Sequence, residues 1–125
     1  MATQLLVVED DPSVLGLLQT LLSTEGYQVA TASDGLGGLV QATTSPPALV
    51  VLDLVMPDLG GVRVLETLRE DPELADIPVI VVTGQVEAVP DMRQLLGEGN
   101  VFVKPFVIAD LLGRVAQLTG GPVSA

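Results

Sequence analysis

Four short apolar runs in this chain each end on a reactive polar group. LLVV (Leu5 to Val8) runs into Glu9, Asp10 and Asp11, and ALVVL (Ala48 to Leu52) ends on Asp53. VIVV (Val79 to Val82) ends on Thr83, and VFV (Val101 to Val103) ends on Lys104. Unbroken Val, Leu and Ile runs mark strands buried on both faces, as in a parallel sheet between two helical layers. Parallel strands share a direction, so their C-terminal ends line one edge, and open α/β sheets bind their ligands at that edge. Carboxylates, a hydroxyl and an ammonium from distant parts of the chain are therefore expected to meet in one place.

Segments of helical period separate these runs. Pro12 suits a first helical position with Asp11 as its N-cap. Val14, Leu15, Leu17, Leu18, Leu21 and Leu22 follow the i, i+3, i+4, i+7 pattern, and Gly26 sits where a C-terminal cap belongs. Tyr27 to Ala32 reads as the second strand. A helix over about Leu36 to Thr43 is weakened by Gly37 and Gly38 and stopped by Pro46 and Pro47. Beyond the third strand, a loop through Pro57, Gly60 and Gly61 leads into a helical face of Val62, Leu65 and Leu68, which Pro72 ends. The fourth strand starts after Pro78. A helix over about Val89 to Leu96 contains Pro90, the fifth strand reaches Lys104, and Ile108, Leu111, Leu112, Val115 and Leu118 mark the last helix.

Five βα units of this size predict an α/β doubly wound, five-stranded parallel sheet with helices on both faces. Right-handed crossovers restrict the strand order. The flavodoxin-like order 2-1-3-4-5 sets the ends of strands 1 and 3 side by side, which puts Asp10 beside Asp53. One domain over residues 1–119 is expected, with 120–125 as a disordered tail or linker remnant.

The bulk composition narrows the chemistry. Apolar residues make up 48% of the 125 positions and aromatics only 2%, so Leu and Val must build the core. A formal charge of -11 disfavours contact with nucleic acid or anionic lipid and fits a basic partner or a bound cation. No cysteine or histidine is present, which removes a thiol nucleophile and the commonest general base and metal ligand. The start MATQLLVVEDD lacks a signal-peptide pattern, and no apolar stretch approaches the roughly 20 residues of a membrane span. The reading is a soluble, cytoplasmic protein.

Three adjacent carboxylates facing a fourth across a strand boundary repel one another, and each raises the others' pKa. A hard divalent cation relieves that repulsion, and oxygen-only ligands select magnesium, manganese or calcium over zinc. Magnesium held by one or two carboxylates commonly bridges to a phosphoryl group. Asp53, after a five-residue apolar run, is the candidate nucleophile. Thr83 and Lys104 are placed to neutralise the oxygens of a transferring phosphoryl group.

From about Gln4 to Leu118 the chain resembles a response-regulator receiver domain of two-component signalling. The matching pieces are LLVVEDDP, VVLDLVMPDLGG, PVIVVTG and VFVKPF, in the family's order. The resemblance implies that Asp53 takes a phosphoryl group from a phosphohistidine on a sensor histidine kinase or phosphotransfer protein. It implies that Glu9, Asp10, Asp53 and the backbone carbonyl of Val55 hold Mg2+, with Mn2+ as a substitute. It also implies that Thr83 turns toward the phosphate, that Lys104 pairs with it, and that the bond before Pro105 is cis. The output is a change of contacts with a downstream protein, and the module is a phosphoacceptor with at most self-catalysed phosphorylation and dephosphorylation. Val55 and Gln85 flank the site and are expected to set water access.

The chain departs from the pattern in its second half. Val101 stands where receivers carry an aromatic ring, and strand alternation sends the neighbouring Phe102 to the opposite face for core packing. The segment from Thr83 to Lys104 is about one residue short, and Pro90 falls inside the expected fourth helix. Receivers often form homodimers through helix 4, strand 5 and helix 5, the region of these departures. They leave a second reading, a pseudo-receiver acting only as a protein-interaction domain. A haloacid-dehalogenase-like phosphatase would need an acid at Val55, an FMN-binding protein a phosphate loop in place of Glu9-Asp10-Asp11, and a P-loop NTPase a GxxxxGK[ST] motif.

Overall fold

The computed structural model describes residues 2–122. Strands and helices alternate along them: β1 (Gln4–Val8), α1 (Pro12–Thr24), β2 (Gln28–Ala32), α2 (Gly35–Thr44) and β3 (Leu49–Asp53), then α3 (Gly61–Glu70), β4 (Val79–Thr83), α4 (Val89–Leu96), β5 (Val101–Val103) and α5 (Ile108–Thr119). Every strand pair is parallel and the order is β2-β1-β3-β4-β5, as the apolar runs predict.

Strands β3 and β4 are buried at all five of their positions. Their side chains alternate between two aliphatic layers. Leu6, Val8, Val50, Leu52 and Val81 pack on one face with Ala42 of α2, Leu65 and Leu68 of α3 and Met92 of α4. Leu5, Val7, Leu49, Val51 and Ile80 pack on the other with Leu18 and Leu22 of α1 and Leu111 and Val115 of α5. Each fully buried Val or Leu stabilises the fold by roughly 1.5–3 kcal/mol of transfer free energy, so an almost ring-free core suffices.

Local signals fix the ends of the helices. Asp11 accepts the Ser13 N–H at 2.9 Å and Pro12 opens α1. Asp34 accepts the Gly37 N–H at 2.7 Å, so α2 starts at Gly35, one residue before the expected Leu36.

The fourth helix has the expected bounds, Val89–Leu96, and Pro90 stands in its first turn without interrupting it, with a 3-10 turn over Val86–Ala88 leading the chain in. In a first turn the N–H that proline lacks has no intrahelical partner to lose. The helix is short, eight residues, and a second 3-10 turn (Glu98–Asn100) feeds the three-residue strand β5. Val101 is buried on the α4 side, while Phe102 packs on the α1 and α5 side with its ring edge-on to Phe106, centroids 6.0 Å apart.

The tail expected over 120–125 is tied down at its start. The Thr3 N–H donates to the Pro122 carbonyl at 2.8 Å, and the Thr3 hydroxyl donates to the Gly121 carbonyl at 2.9 Å. The rest of that expectation, residues 123–125, lies outside the described residues. Among the described residues no helix is long and apolar enough to cross a membrane.

Candidate functional site

The ladders carry the site residues to one level. Val8 pairs with Leu52, so the next residues, Glu9 and Asp53, come side by side at the C-terminal edge. The Glu9 N–H donates to the Ala32 carbonyl at 3.0 Å, and the Lys104 N–H donates to the Thr83 carbonyl at 2.8 Å. Both main chains are thus held one residue beyond their strands. The Lys104–Pro105 peptide is cis.

The resulting open cleft is lined by Glu9, Asp10, Asp11, Asp53, Val55, Gly84, Gln85 and Lys104. Glu9 and Asp53 are buried and Asp10 is exposed. One carboxylate oxygen from each of these three lies within 4.8 Å of the others. Lys104 Nζ sits 2.6 Å from Glu9 Oε1 and 3.6 Å from Asp53 Oδ2. The other Glu9 oxygen accepts the Asp11 N–H at 3.2 Å.

These contacts set the charges. Burial pushes the Glu9 carboxyl up to about 7, and Asp53 adds to that rise against the opposing pull of Lys104 and the Asp11 N–H. For Lys104, burial favours the neutral amine, but Glu9 and Asp53 outweigh it and hold its pKa above the usual value. Three carboxylates share one ammonium, so the cleft has an excess of negative charge. Its donors are all oxygen and one carboxylate is already strained toward protonation, a set that fits a hard divalent cation.

Thr83 is fully buried, lies outside the cleft lining, and its hydroxyl accepts the Gln85 N–H at 2.9 Å. Gly84 lines the cleft, and a Cβ there would meet nothing within 4 Å. Val55 is exposed at the cleft wall. The backbone behind Asp53 is tightly packed. The Gly61 N–H donates to the Leu54 carbonyl at 2.9 Å, and a Cβ on Gly61 would fall 2.2 Å from the Asp53 carbonyl oxygen. Only glycine fits there.

One residue near the site was not singled out from the sequence. Asp58, in the loop between β3 and α3, accepts the Gly35 and Leu36 N–H groups through its two carboxylate oxygens, each at 3.1 Å. The Leu59 N–H, and then those of Leu36 and Gly35, hold its carboxyl below the usual 3.8. An Asp after Pro57 signals a turn, but its partners lie more than twenty residues away and leave no local pattern.

The family model for the response regulator receiver domain matches residues 5–116. The DNA-binding dual master transcriptional regulator RpaA of Synechocystis is 36% identical over 119 residues, 92% of this chain and 48% of the relative. The transcriptional regulatory protein PrrA of Mycobacterium tuberculosis is 40% identical over 116 residues, 92% and 49% respectively. The chain thus spans about half the length of the curated relatives it matches. The crystal structure of the response regulator TrrA from Thermotoga maritima, in complex with Mg2+-BeF, is similar with a TM-score of 0.82 at 29% identity, over 93% of this chain and 98% of that one. With its strand order, acidic cleft and family match in agreement, the chain belongs to the response regulator receiver domain family.

Proposed function

We propose that this receiver takes a phosphoryl group onto Asp53 from a sensor histidine kinase or phosphotransfer protein, and that the modification switches its contacts with a downstream protein. The observation that carries this reading is the convergence of Glu9, Asp10 and Asp53 within 4.8 Å, with the Lys104 ammonium 3.6 Å from Asp53.

Asp53 Oδ attacks phosphorus as the bond from phosphorus to the donor imidazole nitrogen breaks, and the electron pair leaves with that nitrogen. Lys104 offsets the charge on the transferring oxygens. Glu9, Asp10, Asp53 and the Val55 backbone carbonyl are the groups that would hold Mg2+, or Mn2+ in its place. When bound, the ion supplies positive charge to the phosphoryl oxygens. Thr83 gives up its bond from the Gln85 N–H to turn its hydroxyl to the phosphate. Water then attacks the acyl phosphate and ends the signal.

The acidic surface suits protein partners in the cytoplasm. Of the relatives, RpaA is described as DNA-binding, and this chain spans about half of it. We assign the receiver segment itself to protein contacts rather than to nucleic acid, with pairing between copies through α4, β5 and α5.

Intact-mass measurement after incubation with acetyl phosphate and magnesium tests the reading. A gain of one phosphoryl group that hydroxylamine releases, and that chelation prevents, supports it. Absence of any gain supports a domain kept for interaction alone.

A further inference from the structure

The loop between β3 and α3 joins Asp53 to Gly61 and carries Val55, yet few polar contacts tie it to the rest of the molecule. Asp58 makes two of them, to the first turn of α2. That turn already has a cap in Asp34, which takes the Gly37 N–H. Asp58 adds the Gly35 and Leu36 N–H groups from across the fold, so two acids of different origin share one helix start. The seat is close: a Cβ on Gly35 would come 2.3 Å from the Leu59 carbonyl oxygen. At its other end the loop is fixed by the bond from the Gly61 N–H to the Leu54 carbonyl. Val55 lies between these two fixed points.

We propose that Asp58 is a positioning residue for the phosphoacceptor site: by clamping the loop to the start of α2 it holds the Val55 backbone where the metal ligands converge. Asp58 lines no part of the cleft, so it acts through the loop and not by contact. The proposal rests on the metal reading given above. A bond that served only to start α2 would produce the same hydrogen bonds, and the two roles separate in solution. Without the clamp, the loop must be ordered by the ion itself, which weakens binding.

Calorimetric titration of the full chain with MgCl2 distinguishes them, using wild type, Asp58→Ala, Asp58→Asn and Asp34→Ala. All three variants lose one negative charge, so the general loss of field is common to them. Asp34→Ala removes a cap of the same helix without touching the loop. Asp58→Ala is expected to raise the magnesium Kd about tenfold above that of Asp34→Ala, the equivalent of two modest hydrogen bonds. Asp58→Asn, which keeps one acceptor oxygen, falls between. Asp34→Ala lowers Tm at least as much while its Kd stays within about twofold of wild type. Equal Kd values for Asp58→Ala and Asp34→Ala overturn the proposal, and if Asp58→Ala does not fold, equality of Asp58→Asn with Asp34→Ala does the same. Failure of the wild type itself to take up magnesium overturns the metal reading, and this inference with it.

Discussion

Lys104 Nζ reaches Glu9 Oε1 at 2.6 Å across a separation of 95 residues, and so ties the end of the edge strand β5 to the end of β1. Glu9 is fully buried and burial pushes it toward protonation, so this ammonium is the group that favours its charged form. The same ammonium stands 3.6 Å from Asp53, which places it to serve a phosphoryl group there. One side chain thus has a structural partner in the resting molecule and a reactive one at the acceptor.

Lys104→Ala separates these roles. The fold persists, since neither aliphatic layer includes Lys104, but Tm falls because Glu9 loses its cation. Magnesium restores most of that loss by taking the lysine's place against the carboxylates. Phosphorylation by acetyl phosphate slows by about 10- to 1000-fold, the scale of losing one charge-stabilising group. Circular dichroism, thermal melts with and without magnesium, and the rate of mass gain check the three parts.

Val55 is exposed at the cleft wall, two residues after Asp53, and offers water no hydrogen bond. Val55→Asn supplies a donor and an acceptor there, so the phospho-form decays faster. The half-life of the phosphorylated mass, followed after removal of the donor, should shorten several-fold; a longer half-life refutes the role given to Val55.

Gly61→Ala forces a methyl group against the Asp53 carbonyl oxygen, at 2.2 Å, and the Leu54 Cα, at 2.6 Å. Both are backbone atoms and cannot swing aside, so the substitution costs on the order of 3 kcal/mol or more. Gly113→Ala meets nothing within 4 Å in the middle of α5 and stabilises by about 0.5–1 kcal/mol. Urea melts of the two variants should move in opposite directions.

The lowered pKa of Asp58 predicts a pH effect of definite sign. A carboxyl whose folded pKa is depressed adds stability that is present above the unfolded value, 3.8, and lost as pH falls through the folded value. Wild type therefore melts above Asp58→Asn near neutral pH, and the gap closes as pH drops below about 4. A gap that stays constant to the lowest pH at which both fold contradicts the assignment.

The sheet and its edge were legible because burial on both faces leaves a continuous apolar run, and a polar residue at the end of such a run has nowhere to go but the edge. The places of Asp53, Thr83 and Lys104 at that edge were readable for that reason; the strand order brought β1 beside β3, but the register sets Glu9 level with Asp53 and Asp10 one residue beyond. What stayed hidden was contact between loops. Asp58 meets α2 through an acceptor that any Asp offers, and no periodicity names its partner. The bounds of α4 around Pro90 were legible, but the 3-10 turns on either side of it, which have no hydrophobic period of their own, were not. The pairing of Lys104 with Glu9 was likewise invisible: the lysine was assigned to the phosphate, and its resting partner depends on packing at the edge.

The residue that receives the phosphoryl group decides the role of Asp53. After incubation with acetyl phosphate and magnesium, borohydride reduction of the acyl phosphate followed by peptide mapping marks the modified residue. The mark is predicted at Asp53 alone, lost in Asp53→Ala and strongly reduced in Asp10→Asn. A mark on Asp10 or Asp11, or an unmarked chain under conditions in which magnesium binds, would contradict it.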